Sequence, residues 1–555
     1  MELDRRAFMG GAVLATGWLA ACQKADTAPA APAPSDDVLG PLREYMEQHR
    51  AAWGLPGMTL AVVTRDGFEG VLTSGLADME RNVAVGPDHL FQVGSISKMF
   101  TALAAWSLID EGKLSPDVKV MEALKGIRIS GGEDIRLQNL LNHTSGLPAD
   151  SALFVEGGLW TGFAPGTNWS YSNCGYELAG RIAAAADGRP YPDMVQARVL
   201  DKVGMGATKP AMHVADRPLY AQGYEPALTD RLNPIPTRMT PTPWVDSDSP
   251  AGCIASTPGD MAKFLRFLLD LADGKGGPVL SDAAAKRFLA DPAEGWNEGD
   301  HYGNGIARIT VDGRNYLHHT GGMVSFCSAL HVDPAAGVAA FASTNVHYSL
   351  DYRPSRVTIY ACELMRAVKE GAAVPAPKPP RNALEAPEQY AGTFASADGD
   401  RFEVAVADGT VRLRKSGRDS DLRLAAVNLF ATTEPDHAIT GVVIESEGGK
   451  AVRAWCGEVE YLVDPSIGYK PPAPEALRVL AARYDDDDRW GGPLYVYARN
   501  GKVLIGNVME LTPLEGGLWR FGDETSPERI KFDGEINGVP QRMLFSGIPY
   551  VRRFS

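Results

Sequence analysis

The sequence predicts an α+β fold, in which an antiparallel sheet is flanked by helices and joined to a helical subdomain, followed by two small all-β domains. Three observations predict it. Strand-like runs stand at both ends of the region 38–370, with helical patterning between them. A proline-rich stretch, AAVPAPKPP, follows that region. Beyond it, short β-rich runs repeat at a spacing of roughly 90 residues, which indicates a duplicated β unit.

Residues 1–22 are typical of an export signal. The paired Arg5-Arg6 precedes an apolar run of about a dozen residues, which ends in an LAAC motif at Cys22. The segment resembles a twin-arginine signal that ends in a bacterial lipobox, and this resemblance implies a lipid on Cys22. A signal peptide without lipidation is the alternative. We therefore expect an exported, periplasmic lipoprotein that contacts the membrane only through its lipid anchor, with residues 23–37 as an Ala/Pro-rich tether.

Charge and cysteine content narrow the class of protein. The chain has 555 residues, with 69 Asp and Glu against 54 Lys and Arg, and its formal net charge is -15. A nucleic-acid surface needs clustered basic side chains, so we expect no nucleic-acid partner.

Five cysteines besides Cys22 are widely spaced and form no CxxC pair. We expect these to be small buried thiols rather than disulfides.

The elements of the region 38–370 follow in order. VLGPLREYMEQHRAAW is amphipathic and predicts the first helix. MTLAVVTRDG and FEGVLTSGLAD are joined through Asp66-Gly67 and predict a hairpin. Helical patterning runs from Ser95 to about Leu289. Strand-like runs then return, and PSRVTIYACELMRAVKEG predicts a closing helix. A chain with strands at both ends completes one sheet by returning to it.

The remainder of the chain is predicted to be a linker and two β domains. Residues 371–382 form the linker, and the β domains are expected at 383–470 and 471–555. FEVAVADGTVRLR and PLYVYARNGKVLI are the matching runs, with hairpin turns at Asp408-Gly409 and Asn500-Gly501. One larger sandwich or barrel built from two halves is the alternative.

Ser95 and Lys98 form a Ser-x-x-Lys pair at the start of an apolar helical pattern. Residues three apart share one face of a helix, so the amine can lie beside the hydroxyl. A serine nucleophile needs such a base, and a lysine serves as one only if burial or cationic neighbours lower its pKa by about 3. A helix-capping serine followed by a solvated lysine is the alternative.

Tyr171-Ser172-Asn173 lies in a predicted loop just before an amphipathic helix. A phenol near Lys98 could relay protons between Ser95 and the leaving group, and Asn173 could orient a substrate carbonyl or the lysine. A second Tyr-x-Asn begins at Tyr302 and opens a strand-like run, where we favour a role at the strand edge.

A third group, His319-Thr320-Gly321-Gly322, belongs to a strand-like run. Glycine allows close backbone approach, so the Gly322 amide could form an oxyanion hole with the Ser95 amide; a tight turn is the alternative. His318 and His319 have no metal-ligand spacing with Cys, Asp or Glu, so we expect no metal. The GxSxG motif is absent, which removes the usual α/β-hydrolase signature.

Together, Ser95-x-x-Lys98, Tyr171-x-Asn173 and His319-Thr320-Gly321 resemble the three motifs of the class C β-lactamase and penicillin-recognising serine hydrolase family. The stretches LLNHTSGLP and AGCIASTPGDMAKF also match. The resemblance implies a β-lactamase-like fold, acylation of Ser95, and proton transfers by Lys98 and Tyr171. It also implies that Asn173, His319 and Gly321 contact the substrate. We expect no cofactor, because acyl transfer can proceed with side chains and backbone amides alone.

One departure from the family pattern affects the expected substrate. Family members usually carry Lys-Thr-Gly at the third motif, where the lysine helps hold a substrate carboxylate, whereas this chain has His319. A neutral imidazole is a poorer carboxylate anchor than an ammonium group. The C-terminal β domains look like the lipocalin-like barrels of the D-stereospecific aminopeptidases of the family.

We therefore expect an enzyme similar to a D-aminopeptidase that cleaves an amide or ester bond in a small molecule or short peptide. A carboxylesterase, or a β-lactamase or DD-peptidase on the same scaffold, is one alternative. A non-catalytic penicillin-recognising binding or sensor protein is the alternative from another class.

Overall fold

The computed structural model describes residues 37–155, 157–232, 238–290, 292–407, 409–486 and 492–553. The expected signal peptide, the lipidated Cys22 and all of the tether except Asp37 lie outside these residues. No helix in the described ranges is both long and apolar enough to cross a membrane.

The chain divides into two units. Of the described residues, those within 37–225 and 241–380 form the first, and those within 226–240 and 381–553 form the second.

A nine-stranded antiparallel sheet is the centre of the first unit. Its central strands are buried at every residue, as expected for strands covered on both faces. The chain returns to the sheet late, so that Met58 of the first strand lies opposite Thr344. In spatial order the strands are Ala293–Glu294, His301–Gly303, Ile306–Val311, Arg314–Gly322, Cys327–Asp333, Val338–Thr344, Gly57–Thr64, Glu69–Asp78 and Val83–Ala84.

Helices surround this sheet. The helix Ser97–Asp110 is buried from Ser97 to Ile109, which is typical of a central helix that is apolar on all sides. It packs against the helix Asn173–Asp187 in the helical subdomain. The other helices of the first unit are Gly40–Trp53, Val120–Ala123, Leu137–Leu141, Tyr191–Val195, Asp201–Val203, Pro258–Ala272, Asp282–Phe288 and Ser355–Glu370.

The second unit contains two closed eight-stranded antiparallel barrels. The first has strands Gly392–Ser396, Arg401–Ala407, Thr410–Lys415, Arg418–Ala426, Leu429–Thr432, Val442–Glu447, Lys450–Cys456 and Val459–Leu462. The second has strands Ala482–Asp485, Leu494–Arg499, Lys502–Ile505, Met509–Pro513, Leu518–Phe521, Arg529–Asp533, Arg542–Phe545 and Ile548–Arg553. The predicted fold class is confirmed, and the repeat corresponds to two barrels rather than one larger one.

The segment 226–240 belongs to the second unit although it lies within the first unit in chain order. The Tyr495 hydroxyl donates a hydrogen bond to the Asp230 carbonyl. Leu232 packs against an apolar cluster of Leu429, Val443 and Trp455 on the first barrel. The predicted domains follow chain order, whereas packing assigns this segment to the barrels.

Candidate active site

Ser95 occupies a single 3₁₀ turn, Gly94–Ile96, that leads directly into the buried helix Ser97–Asp110. Gly94 has a φ of +57°, and a Cβ atom there would lie 2.7 Å from the Gly322 nitrogen. Only glycine allows this turn to approach the strand so closely. The turn therefore places the Ser95 region against the Gly322 backbone, with the Ser95 side chain half-buried.

Lys98 is fully buried and its Nζ contacts three oxygen atoms. Nζ lies 3.1 Å from Ser95 Oγ, 2.6 Å from Asn173 Oδ1 and 2.8 Å from the Ala251 carbonyl oxygen. Burial lowers the pKa of Lys98 from 10.5 to about 7, while the carboxylates of Asp150 and Glu177 act in the opposite direction. A large fraction of the amine is therefore neutral near pH 7.

The hydrogen-bond partners determine where the lone pair of the neutral amine points. A neutral amine has two N–H donors and one acceptor pair, whereas Asn173 Oδ1 and the Ala251 carbonyl can only accept. The two N–H groups are satisfied by these oxygens, so the lone pair faces the Ser95 hydroxyl. This arrangement lets Lys98 accept the Ser95 proton.

The amide of Asn173 has a defined orientation. Its Nδ2 donates to Asp150 Oδ1 at 2.9 Å, which turns Oδ1 toward Lys98. Asn173 is the first residue of its helix because Ser172 caps that helix, with Ser172 Oγ accepting from the Gly175 amide at 2.9 Å. The cap thus places Tyr171 just before the helix and Asn173 inside it.

Tyr171 lies next to both Ser95 and Lys98. The Ser95 side chain acts to lower the pKa of the Tyr171 phenol, and the Tyr171 ring centroid is 4.8 Å from Lys98 Nζ. The ring stacks on Trp296 at 5.1 Å and lies 4.3 Å from the His143 ring. Burial raises the pKa of Tyr171 above its usual value, so the phenol keeps its proton at neutral pH.

His319 is buried, and both of its ring nitrogens have protein partners. Nδ1 lies 2.5 Å from the Thr320 carbonyl, which can only accept, so Nδ1 carries the proton. Nε2 then accepts from the Tyr302 hydroxyl at 3.0 Å. Burial lowers the pKa of His319 to about 3, so the ring is neutral. It offers a substrate no charge, and its ring centroid lies 6.3 Å from that of Tyr171.

Gly321 and Gly322 pack closely against neighbouring backbone and side chains. A Cβ atom on Gly321 would lie 1.9 Å from the Val93 carbonyl oxygen, so this strand has no room for a side chain there. A Cβ atom on Gly322 would lie 2.7 Å from Nη2 of Arg353. Ser95, Lys98, Tyr171 and Asn173 therefore meet in one place, with the two glycines beside them and His319 engaged with Tyr302.

The Beta-lactamase family model matches residues 42–363, more than half of the chain. The chain belongs to the Beta-lactamase family. Penicillin-binding protein 4 of Amycolatopsis lactamdurans is 31% identical over 327 residues, which cover 55% of this chain and 84% of that relative. A beta-lactamase of Pseudomonas fluorescens is 32% identical over 35% of this chain, and the match spans 54% of its length. The family and these named members indicate a serine hydrolase.

A solved structure shows the same fold. The octameric penicillin-binding protein homologue from Pyrococcus abyssi superposes with a TM-score of 0.53 at 21% identity, covering 76% of this chain and 99% of that one. The family model confirms the resemblance inferred from the three motifs, while the roles of individual site residues stay predictions.

Three residues of this Beta-lactamase-family site have no role in the sequence analysis. The Ala251 carbonyl binds Lys98, and Ala251 opens the AGCIASTPGDMAKF stretch, whose likeness to the family does not indicate which of its groups would contact the lysine. Asp150 orients Asn173 and closely follows LLNHTSGLP. Arg353 approaches Gly322 from a loop that carries no recognisable motif.

Proposed function

We propose that this chain hydrolyses amide or ester bonds through an acyl-enzyme on Ser95 and is most similar in activity to a D-aminopeptidase. The contact between Lys98 Nζ and Ser95 Oγ carries the proposal, because a buried amine with its lone pair toward a hydroxyl is what a serine nucleophile requires.

The proposed acylation step balances as follows. Ser95 Oγ bonds to the substrate carbonyl carbon while its proton moves to the neutral amine of Lys98. The oxyanion faces the backbone amides of Ser95 and Gly322. Tyr171 donates its phenolic proton to the departing nitrogen or oxygen as the scissile bond breaks, and regains one from Lys98. In deacylation, water loses a proton to the same pair as its oxygen bonds to the acyl carbon, and that proton passes to Ser95 Oγ as the ester bond breaks and the acid leaves.

The third motif, which contains His319, bears on which substrate the site prefers. Neutral His319 has both nitrogens occupied and supplies no cation for a β-lactam carboxylate. The third motif therefore lacks the family's usual carboxylate anchor, and with it the usual support for a penicillin as the substrate. A carboxylesterase, or a β-lactamase or DD-peptidase, is the second candidate, because the named relatives include a penicillin-binding protein and beta-lactamases.

Labelling and substrate comparison test the proposal. A fluorophosphonate should add covalently to the wild type and fail to add to Ser95→Ala, as measured by intact-mass spectrometry. A wild type that never reacts would instead favour a binding or sensor protein. D-alanine p-nitroanilide, p-nitrophenyl acetate and nitrocefin then separate the enzyme classes. A D-amide turned over much more slowly than the ester and the lactam contradicts the aminopeptidase proposal.

We also propose that the chain is exported and anchored through a lipid on Cys22. The support is the Arg5-Arg6 pair and the LAAC motif. Radiolabelled palmitate should be incorporated by the wild type in a bacterial host and lost in Cys22→Ser. Equal labelling of both would contradict the anchor.

A further inference from the structure

Asp150 presents a carboxylate at the candidate site. Its Oδ1 accepts a hydrogen bond from Asn173 Nδ2 at 2.9 Å. Within the described residues its Oδ2 has no hydrogen-bond partner, and the residue is exposed to solvent. Desolvation of the carboxyl raises the pKa of Asp150, whereas the hydrogen bond from Asn173 and the charge of Lys98 act to lower it. Asp150 acts electrostatically on both Lys98 and Tyr171, so its charge lies close to the reacting groups.

Arg353 presents the opposite charge beside the predicted oxyanion hole. Its Nη2 would be 2.7 Å from a Cβ atom on Gly322. Nη1 donates to the Tyr352 carbonyl at 2.8 Å and to Cys327 Sγ at 3.3 Å. In the described ranges Nη2 has no hydrogen-bond acceptor, and the Asp351 carboxylate interacts electrostatically with this guanidinium without forming an ion pair. Arg353 also acts electrostatically on Tyr171.

A cation and an anion therefore flank one nucleophile, each with a free hydrogen-bonding atom. A carboxylate with an unused oxygen suits an ammonium group, and a guanidinium with an unused N–H suits a carboxylate. A dipeptide is the smallest peptide that carries both terminal charges with a single amide bond between them.

We propose that this site takes zwitterionic dipeptides, with the α-ammonium held by Asp150 and the α-carboxylate held by Arg353. The inference rests on the proposed function, because it names the substrate class of the same Ser95 site. Arg353 thereby supplies the carboxylate anchor that His319 does not. The products are two free amino acids: the released amine leaves with the proton that came from Ser95, and the attacking water gives its oxygen to the released acid and a proton back to Ser95.

Binding of the substrate ammonium by Asp150 should change the protonation of Lys98. Asp150 favours the protonated form of Lys98, so a substrate ammonium that offsets the Asp150 charge keeps Lys98 neutral at lower pH. Other groups near Lys98 are common to every substrate: Glu177, Tyr171, Tyr176, His143 and His319. The acidic limb of the kcat profile should therefore lie at lower pH for a free dipeptide than for its N-acetylated form.

The test compares kcat/KM for alanyl-alanine with its N-acetyl form, its C-terminal amide and the doubly capped peptide, in both D,D and L,L series. In the wild type, kcat/KM for the free dipeptide should exceed that for each singly capped form by at least tenfold in either the D,D or the L,L series. Asp150→Asn keeps an acceptor for Asn173 and should bring the ratio of free to N-acetylated peptide near one. Arg353→Gln should bring the ratio of kcat/KM for the free dipeptide to kcat/KM for its C-terminal amide near one.

Each substitution should leave the other ratio intact, and Asp117→Asn, at an exposed carboxylate, should leave both ratios as in the wild type. Ratios are used because a general loss of folded enzyme cancels in them. If Ser95 is labelled and p-nitrophenyl acetate is hydrolysed, but the wild-type ratios are near one or no dipeptide is cleaved, the dipeptide inference is overturned and the proposed function stands. If Ser95 is neither labelled nor acylated by any donor, the proposed function itself is overturned.

Discussion

Lys98→Arg distinguishes a buried neutral base from a buried cation. The pKa of Lys98 falls from 10.5 to about 7 on burial. That difference of about 3.5, at about 1.4 kcal/mol for each pKa unit, corresponds to roughly 5 kcal/mol against the charged amine. Arginine stays protonated in proteins, so the variant has no lone pair for the Ser95 proton. We expect acylation of Ser95 to slow by about 10²- to 10⁴-fold.

Stopped-flow measurement of p-nitrophenol release, in the first turnover with p-nitrophenyl acetate, reports this step directly. In the wild type the acylation rate should fall about tenfold for each pH unit below about 7, because the protonated amine cannot accept a proton. Lys113→Arg is the matched control, since Lys113 is half-exposed and pairs with Glu111. Circular dichroism and Tm verify that both variants fold.

Two results would refute the reasoning. One is a wild-type acylation rate that stays flat from pH 5 to 9, since the neutral fraction of Lys98 changes across that range. The other is a folded Lys98→Arg enzyme within tenfold of the wild type, which would mean that another group takes the Ser95 proton.

Tyr171→Phe removes the proposed proton donor, so kcat with D-alanine p-nitroanilide, whose leaving nitrogen must be protonated, should fall about 10²-fold or more while KM changes little; a variant that keeps a tenth of the wild-type kcat on this amide would rule out this role. Gly321→Ala would put a Cβ atom 1.9 Å from a backbone carbonyl oxygen, so urea unfolding should show a loss of about 2–4 kcal/mol. Gly259→Ala is the control, because its Cβ atom would meet nothing within 4 Å. Equal free energies of unfolding for the two variants would argue against close packing at Gly321. Burial lowers the pKa of His318 from 6.5 to about 4. Between these pH values the unfolded chain binds a proton on His318 that the folded chain does not. The contribution of neutral His318 to the free energy of unfolding is therefore complete above pH 6.5 and falls by about 3 kcal/mol as the pH drops toward 4. His318→Asn should therefore lose less stability over this pH range than the wild type. If the free energy of unfolding falls equally with pH in both proteins, the low pKa of His318 is contradicted.

The fold could be predicted largely from the sequence because its signals are local. The β-rich run MTLAVVTRDG predicts a hairpin strand, and the structure has the strand Gly57–Thr64 there, buried at every residue. The Asn500-Gly501 turn, with both residues at positive φ, closes a hairpin whose residues are adjacent in sequence. The repeated pattern of such hairpins indicates duplicated β domains, whereas closure of each into a separate barrel depends on pairing between its first and last strands.

By itself the sequence determined the chemistry available at the candidate site: a serine and a lysine one helical turn apart, a tyrosine and asparagine at a helix start, and a glycine pair after a histidine. Only the tertiary structure decided how these groups act. Lys98 contacts oxygens from residues 75 and 153 positions further along the chain, and its pKa depends on what surrounds it. Arg353 reaches Gly322 from a loop without any motif. Burial, lone-pair direction and the charges flanking Ser95 are properties of groups brought together from distant parts of the chain, and these are set when the chain folds.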